Sequence, residues 1–253
     1  MEGPHTRFPP FKGNPLPIVD IIEDNLADSN LRPQSAGKDP YHLLREAIVS
    51  GKFHPNERLV EATVATTIGA GRTAVRAALV RLDQEGLVSL EPNRGARVRL
   101  ISDREALEIE EVRATLEALL ARRAATAATA TDLRDLRNLI VLMRERVAEG
   151  DSIGYSELNP LFHQRIWAAA DHPTASRLVG SLKSQSIRFQ FQTILRPGRT
   201  ERSLHEHEAI FSALKERNPD AAEQAMRDHL AEVLDTLRWA IKGQRPATGW
   251  LPG

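Results

Sequence analysis

The chain has 253 residues, 34 basic and 34 acidic side chains, 41% hydrophobic residues and no cysteine. That length supports two domains with real cores, and zero net charge excludes a globally basic nucleic-acid binder, so any DNA contact must rest on locally placed cations. The lack of cysteine excludes structural disulfides and thiolate metal sites, and with no apolar run of roughly 18 residues and no secretory signal pattern the expected setting is cytoplasmic, without a membrane partner.

Residues 1–38 are proline-rich, with only Ile18, Ile21 and Ile22 able to form an apolar helical turn, and read as a mostly disordered tail. Tyr41–Ser50 then carries Leu43, Leu44, Ala47 and Ile48 at helical spacing, with Gly51 at the stop position. A turn through residues 53–56 leads to Arg58 and a short helix, about Val60 to Ile68, closed by Gly69. The next helix opens at Arg72. On a 100° wheel Val75, Leu79 and Leu82 form one apolar face, while Arg72, Thr73 and Arg76 lie on the flank turned away from it. Two arginines and a threonine at the start of a half-buried helix suit reading of the DNA major groove. The positive dipole end meets phosphate, and guanidinium forks reach phosphates or guanine edges. Gly86 ends this helix; 87–91 and 96–100 alternate like two strands, joined by the turn 92–95. Three helices and a hairpin tipped by Arg94 and Gly95 make a winged helix-turn-helix, in which Gly95 lets the backbone approach a phosphate or the minor groove. Residues 39–101 hold nine Lys/Arg against seven Asp/Glu. That excess is weak, so placement outweighs the sum, and two copies on one site are expected.

From Ser102 the character is helical throughout. Ser102 with Glu105 has a capping-box pattern, opening a helix through about Thr126; Thr131 is read as the cap of a second, which ends at Glu149–Gly150. A third spans about Ile153 to Ala170 with Pro160 inside it, and a fourth runs from Pro173 to about Leu195. A fifth covers Arg199–Arg217 and a sixth Pro219–Lys242, before a frayed tail at 244–253. Six amphipathic helices with short connections imply an antiparallel bundle over 102–243.

His163, His205, His207 and His229 fall on the third, fifth and sixth of these helices, and Asn159 shares a face with His163 four residues on. Three imidazoles from three helices with one oxygen donor would suit Zn²⁺, Ni²⁺ or Mn²⁺ with open positions for a carboxylate ligand. The competing reading is a set of ordinary polar helix residues, with Asn159-Pro160 as an N-cap and first-turn proline.

The fragments at 56–61 (NERLVE), 72–76 (RTAVR), 81–88 (RLDQEGLV) and 92–98 (PNRGARV) resemble the DNA-binding domain of GntR-type bacterial transcription regulators. The resemblance places Arg58, Arg72, Thr73, Arg76 and Gly95 where family members touch DNA. Ala74 stands for the commoner Pro and Gly71 for the usual Ser, which removes a capping hydroxyl. Residues 103–240 are similar to the FadR-like, or FCD, helical ligand-binding domain. The motifs are Asn159–His163, Glu206-His207 through Ile210, and Ala225 through His229-Leu230. They imply His163, His207 and His229 as metal ligands, with Asn159 standing where the family has Asp and bringing no charge. Arg113 and Glu117 match a common pair in which Arg113 clamps a ligand carboxylate or forms a salt bridge with Glu117; Arg188 is a second candidate clamp.

The expectation is therefore a mainly α protein, a winged helix-turn-helix followed by an FCD-like antiparallel bundle, and not an enzyme. It would be a homodimeric repressor whose operator DNA binding responds to a small carboxylate or other anionic metabolite in the bundle. The alternatives are a metallo-hydrolase with an accessory DNA-binding domain, or an architectural protein whose bundle only dimerises.

Overall fold

A computed structural model of the chain describes residues 39–92, 94–186 and 196–243. The expected tails at 1–38 and 244–253, the end of the fourth bundle helix and Arg188 lie outside the described residues.

Pro40 supplies a fixed φ at the start of α1 (Pro40–Val49), which buries Tyr41, Leu44 and Ile48. α2 (Glu61–Ile68) ends in a left-handed Gly69 that returns its N–H to Ala65 and Thr66. α3 (Arg72–Gln84) buries Val75, Ala78, Leu79 and Leu82, the face expected from the wheel. The sheet has one strand more than expected: β1 (Arg58–Leu59) joins β2 (Val88–Glu91) and β3 (Gly95–Val98) in the antiparallel order β1-β3-β2. Two residues are too few for any alternation to show in the sequence. Their partners are Arg97 and Ala96. Leu59, Val64, Leu79, Leu82, Val88 and Val98 meet in one small core closed by all six elements.

The bundle begins at α4 (Asp103–Ala127). Ser102 caps it by accepting the Glu105 N–H at 3.1 Å, but the Glu105 side chain turns away to pair with Arg99, so the expected box is only half formed. α5 (Ala130–Ala148) is capped two residues earlier than Thr131: Thr129 and Asp132 form a complete reciprocal capping box. α6 (Ser152–Ala169) is capped by Asp151 and runs unbroken through Pro160, so Asn159 is interior to the helix rather than its cap. α7 (Pro173–Gln185), α8 (Arg199–Lys215) and α9 (Pro219–Gly243) complete it. Ala106, Ala118, Ala121, Ala124 and Ala125 are fully buried along α4, and these small side chains let α9 pack closely along it. Phe162, Leu136, Leu139, Met143, Ile166, Ile210 and Leu214 fill the layer between α5, α6 and α8. Among the described residues no helix is long and apolar enough to cross a membrane.

The winged portion rests on the bundle. Ile101 packs with Ala106, Ile109, Leu237 and Ile241. Arg99 pairs with Glu105 and donates to the Gly86 carbonyl at 3.0 Å.

Candidate metal centre and nucleic-acid interface

Residues 155, 159, 163 and 167 are spaced four apart on α6, so Tyr155, Asn159, His163 and Trp167 share one face. That face looks onto α4, α8 and α9. One ring nitrogen from each of His163, His207 and His229 lies within 4.8 Å of the others, and all three rings are buried. The expected convergence of three helices is present. His205 stays outside, 82% exposed beside Glu208, as a surface residue.

Each imidazole is held from behind. His163 Nδ1 meets Glu117 Oε2 at 2.7 Å, His229 Nδ1 meets Glu206 Oε2 at 2.6 Å, and His207 Nδ1 meets the Tyr155 hydroxyl at 3.0 Å. An imidazole that gives its Nδ1 proton to a carboxylate or hydroxyl presents the Nε2 lone pair forward, which is the usual support behind a metal-bound histidine. Two buried atoms at the cluster, His207 Nε2 and Asn159 Oδ1, have no hydrogen-bond partner among the described residues. Orphaned acceptors in a buried site are costly unless a cation or donor sits among them. The donor set, three neutral nitrogens and one amide oxygen, therefore fits a divalent first-row ion.

The electrostatics keep the rings neutral. Burial, together with mutual repulsion from the neighbouring imidazoles, holds His207 and His229 well below the ordinary imidazole value. His163 is lowered by burial, only partly countered by Glu117. Glu117 lies at the centre of the charge network. Burial would raise its carboxyl, but Arg113 and His163 outweigh it and hold it far below the carboxylate range. Arg113 donates to Glu117 at 2.6 Å and to Glu110 at 2.7 Å, and the Trp167 indole reaches Glu117 at 3.2 Å. Of the two roles open for Arg113 in the sequence, the salt bridge is formed, while its guanidinium still borders the cavity beside the histidines.

That cavity is also lined by Asn159, Lys183, Ser186 and Arg199. Lys183 and Arg199 gave no signal in the sequence. Tyr155 and Glu206 did: Tyr155 is on the same four-residue stripe as Asn159 and His163, and Glu206 directly precedes His207.

On the winged portion, Arg72, Thr73 and Arg76 are exposed at the start of α3, above a Gly71 cap with no side-chain bond. Arg76 is not free: its fork engages Glu61 of α2 at 2.8 and 2.7 Å. At the wing, Arg94 is exposed and Arg58 donates to the Arg94 carbonyl at 3.2 Å. Gly95 has an internal reason to be glycine. Its φ is +88°, and a Cβ there would lie 2.3 Å from the Leu59 carbonyl oxygen of β1.

Residues 38–98 match the family described as bacterial regulatory proteins, gntR family, and residues 108–232 match the FCD domain. The HTH-type transcriptional repressor RspR of Escherichia coli K12 is 30% identical over 212 residues, spanning 83% of this chain and 93% of its own. The gluconate operon transcriptional repressor of Bacillus subtilis is 27% identical, spanning 82% and 87%. Among solved structures, E. coli McbR/YncC superposes with a TM-score of 0.67 at 20% identity, covering 80% of this chain and 96% of that one, a likeness of fold. The chain belongs to the GntR family of bacterial transcription regulators, with a C-terminal FCD domain, and is not an enzyme.

Proposed function

We propose that the protein is a metal-assisted metabolite sensor that represses transcription from operator DNA as a homodimer. Arg72, Thr73 and Arg76 at the start of α3 would read the major groove, with Arg58, Arg94 and Gly95 placing the wing on the backbone. Arg76 must exchange Glu61 for DNA as it docks, so part of its contribution goes to discrimination rather than affinity.

In the bundle, His163, His207, His229 and Asn159 would hold the ion. When bound, the ion supplies a Lewis-acid anchor for an anionic oxygen of a small carboxylate. The protein's own groups do the rest: Glu117, Glu206 and Tyr155 fix the rings, and Arg113 and Arg199 border the space the metabolite would occupy. A metabolite acts on DNA binding only through different affinity for two arrangements of the chain, typically 1–3 kcal/mol of coupling.

The observation that carries this reading is the pair of buried orphan atoms, His207 Nε2 and Asn159 Oδ1, beside the three-histidine cluster. The test is His207→Ala, followed by elemental analysis and a gel-shift titration on the promoter of the chain's own operon. Loss of metal with retained DNA binding is expected; stoichiometric metal in the variant would overturn the assignment.

A further inference from the structure

Helix α7 faces the sensor cavity with one residue and the DNA reader with three. Lys183 lines the cavity beside Arg113 and the histidines. It makes no hydrogen bond or ion pair among the described residues, and its ammonium lies 5.5 Å over the Trp167 ring. The carboxylates near it are taken: Glu117 by Arg113, His163 and Trp167, and Glu110 by Arg113 and Ser186. An ammonium with three donors and no acceptor in such a place needs an anion. Burial, with Arg113 beside it, brings Lys183 down to about 8, which leaves it mostly charged at pH 7.

The residues around Lys183 hold the end of the reading helix. Ser181 Oγ and Gln185 Nε2 both donate to the Glu85 carbonyl, at 3.2 and 2.7 Å. Ser184 accepts from Arg45, which also reaches the Glu85 carboxylate at 3.4 Å. Glu85 is the C-cap of α3. Gly86 follows at φ +70°, where an added Cβ would lie 2.9 Å from both the Arg99 and Gln185 side chains. The contact is tight. Because α3 is a continuous helix of 13 residues, a shift of its last turn is passed to Arg72 and Arg76 at its first.

We propose that α7 links sensor to reader: Lys183 takes the second anionic group of a dianionic metabolite, and Ser181 and Gln185 transmit the resulting displacement to α3. This rests on the metal-held ligand proposed above. The class of ligand follows from charge. Arg113, Lys183 and Arg199 are balanced by Glu110, Glu117 and Glu206, and the three histidines and Asn159 are neutral. A divalent ion leaves the site with two positive charges, which a small dicarboxylate neutralises; an Asp at 159 would have left one.

The test compares malonate, succinate and glutarate with propionate, butyrate and valerate on zinc-loaded protein, by thermal shift and Trp167-dependent fluorescence. At least one dicarboxylate should bind more tightly than its length-matched monocarboxylate. Lys183→Met should abolish that preference, weakening the dicarboxylate about ten- to a hundredfold while retaining full zinc by elemental analysis. In Ser181→Ala/Gln185→Ala, dicarboxylate affinity and ligand-free binding to the operon's own promoter should be kept, with the ligand-induced change in DNA affinity reduced several-fold. The proposal is overturned if no dicarboxylate is preferred, if Lys183→Met keeps the preference, or if the double variant keeps full coupling. Wild-type protein that holds no zinc would instead remove the metal reading beneath it.

Discussion

Glu117→Gln removes one negative charge from the middle of the bundle at almost constant volume. In the folded chain one carboxylate oxygen takes two N–H groups of Arg113, at 3.1 and 2.6 Å, and the other takes His163 and Trp167, at 2.7 and 3.2 Å. An amide accepts on only one of its two atoms, so its NH2 must face either a guanidinium or an imidazole and indole, donor against donor. Removing one partner of a buried ion pair costs about 3–5 kcal/mol. Arg113 keeps Glu110, which points to the lower end, about 3 kcal/mol, a large fraction of the 5–15 kcal/mol that holds a typical domain together. His163 also loses the carboxylate that orients it, which should weaken metal binding about 10- to 100-fold. Urea unfolding of the apo protein measures the first effect, and zinc competition against a chromophoric chelator at pH 7.5 measures the second. A variant within about 1 kcal/mol of wild type, with unchanged zinc affinity, would refute the view that one ionised carboxylate braces both Arg113 and His163.

Gly95→Ala should destabilise the wing by roughly 1–3 kcal/mol for the left-handed backbone alone, with further displacement of β1 from the Leu59 contact; an unchanged unfolding midpoint would contradict this. Arg76→Ala should weaken operator binding about ten- to a hundredfold and relax base preference, whereas Glu61→Gln, by releasing the Arg76 fork, should raise affinity for unrelated DNA; gel shifts on both DNAs separate the two, and a Glu61→Gln protein that still ignores unrelated DNA would count against the release. The apo protein should lose stability as pH falls. His207 and His229 stay neutral in the folded state while the unfolded chain takes protons near pH 6.5, so their contribution is intact above that value and declines below it. The slope reaches about 1.4 kcal/mol per pH unit for each imidazole. Urea midpoints that do not fall between pH 7.5 and 5.5 would show that the rings are not held neutral.

The linear sequence by itself determined the helices and the wing, because their signals are local. Val75, Leu79 and Leu82 repeat at the helical period, Gly69 and Gly86 mark turns needing positive φ, and His163, His207 and His229 sit in recognisable motifs. The caps were legible only to within two residues, since Thr129 and Thr131 both precede a helical run and only the reciprocal bonds with Asp132 choose between them. The two-residue β1 was not legible at all, because its existence depends on Arg97 and Ala96 nearly forty residues away. Tertiary structure alone decided which charges meet. Glu117 and Arg113 read as a simple pair one turn apart, yet packing of α4 against α6 makes Glu117 the brace of a histidine 46 residues on. The contact between α7 and the end of α3 spans 100 residues and joins a main-chain carbonyl to a glutamine amide, so neither residue type betrays it. Periodicity and turn chemistry are written along the chain, whereas charge pairing and burial depend on distances that exist only after the helices have packed.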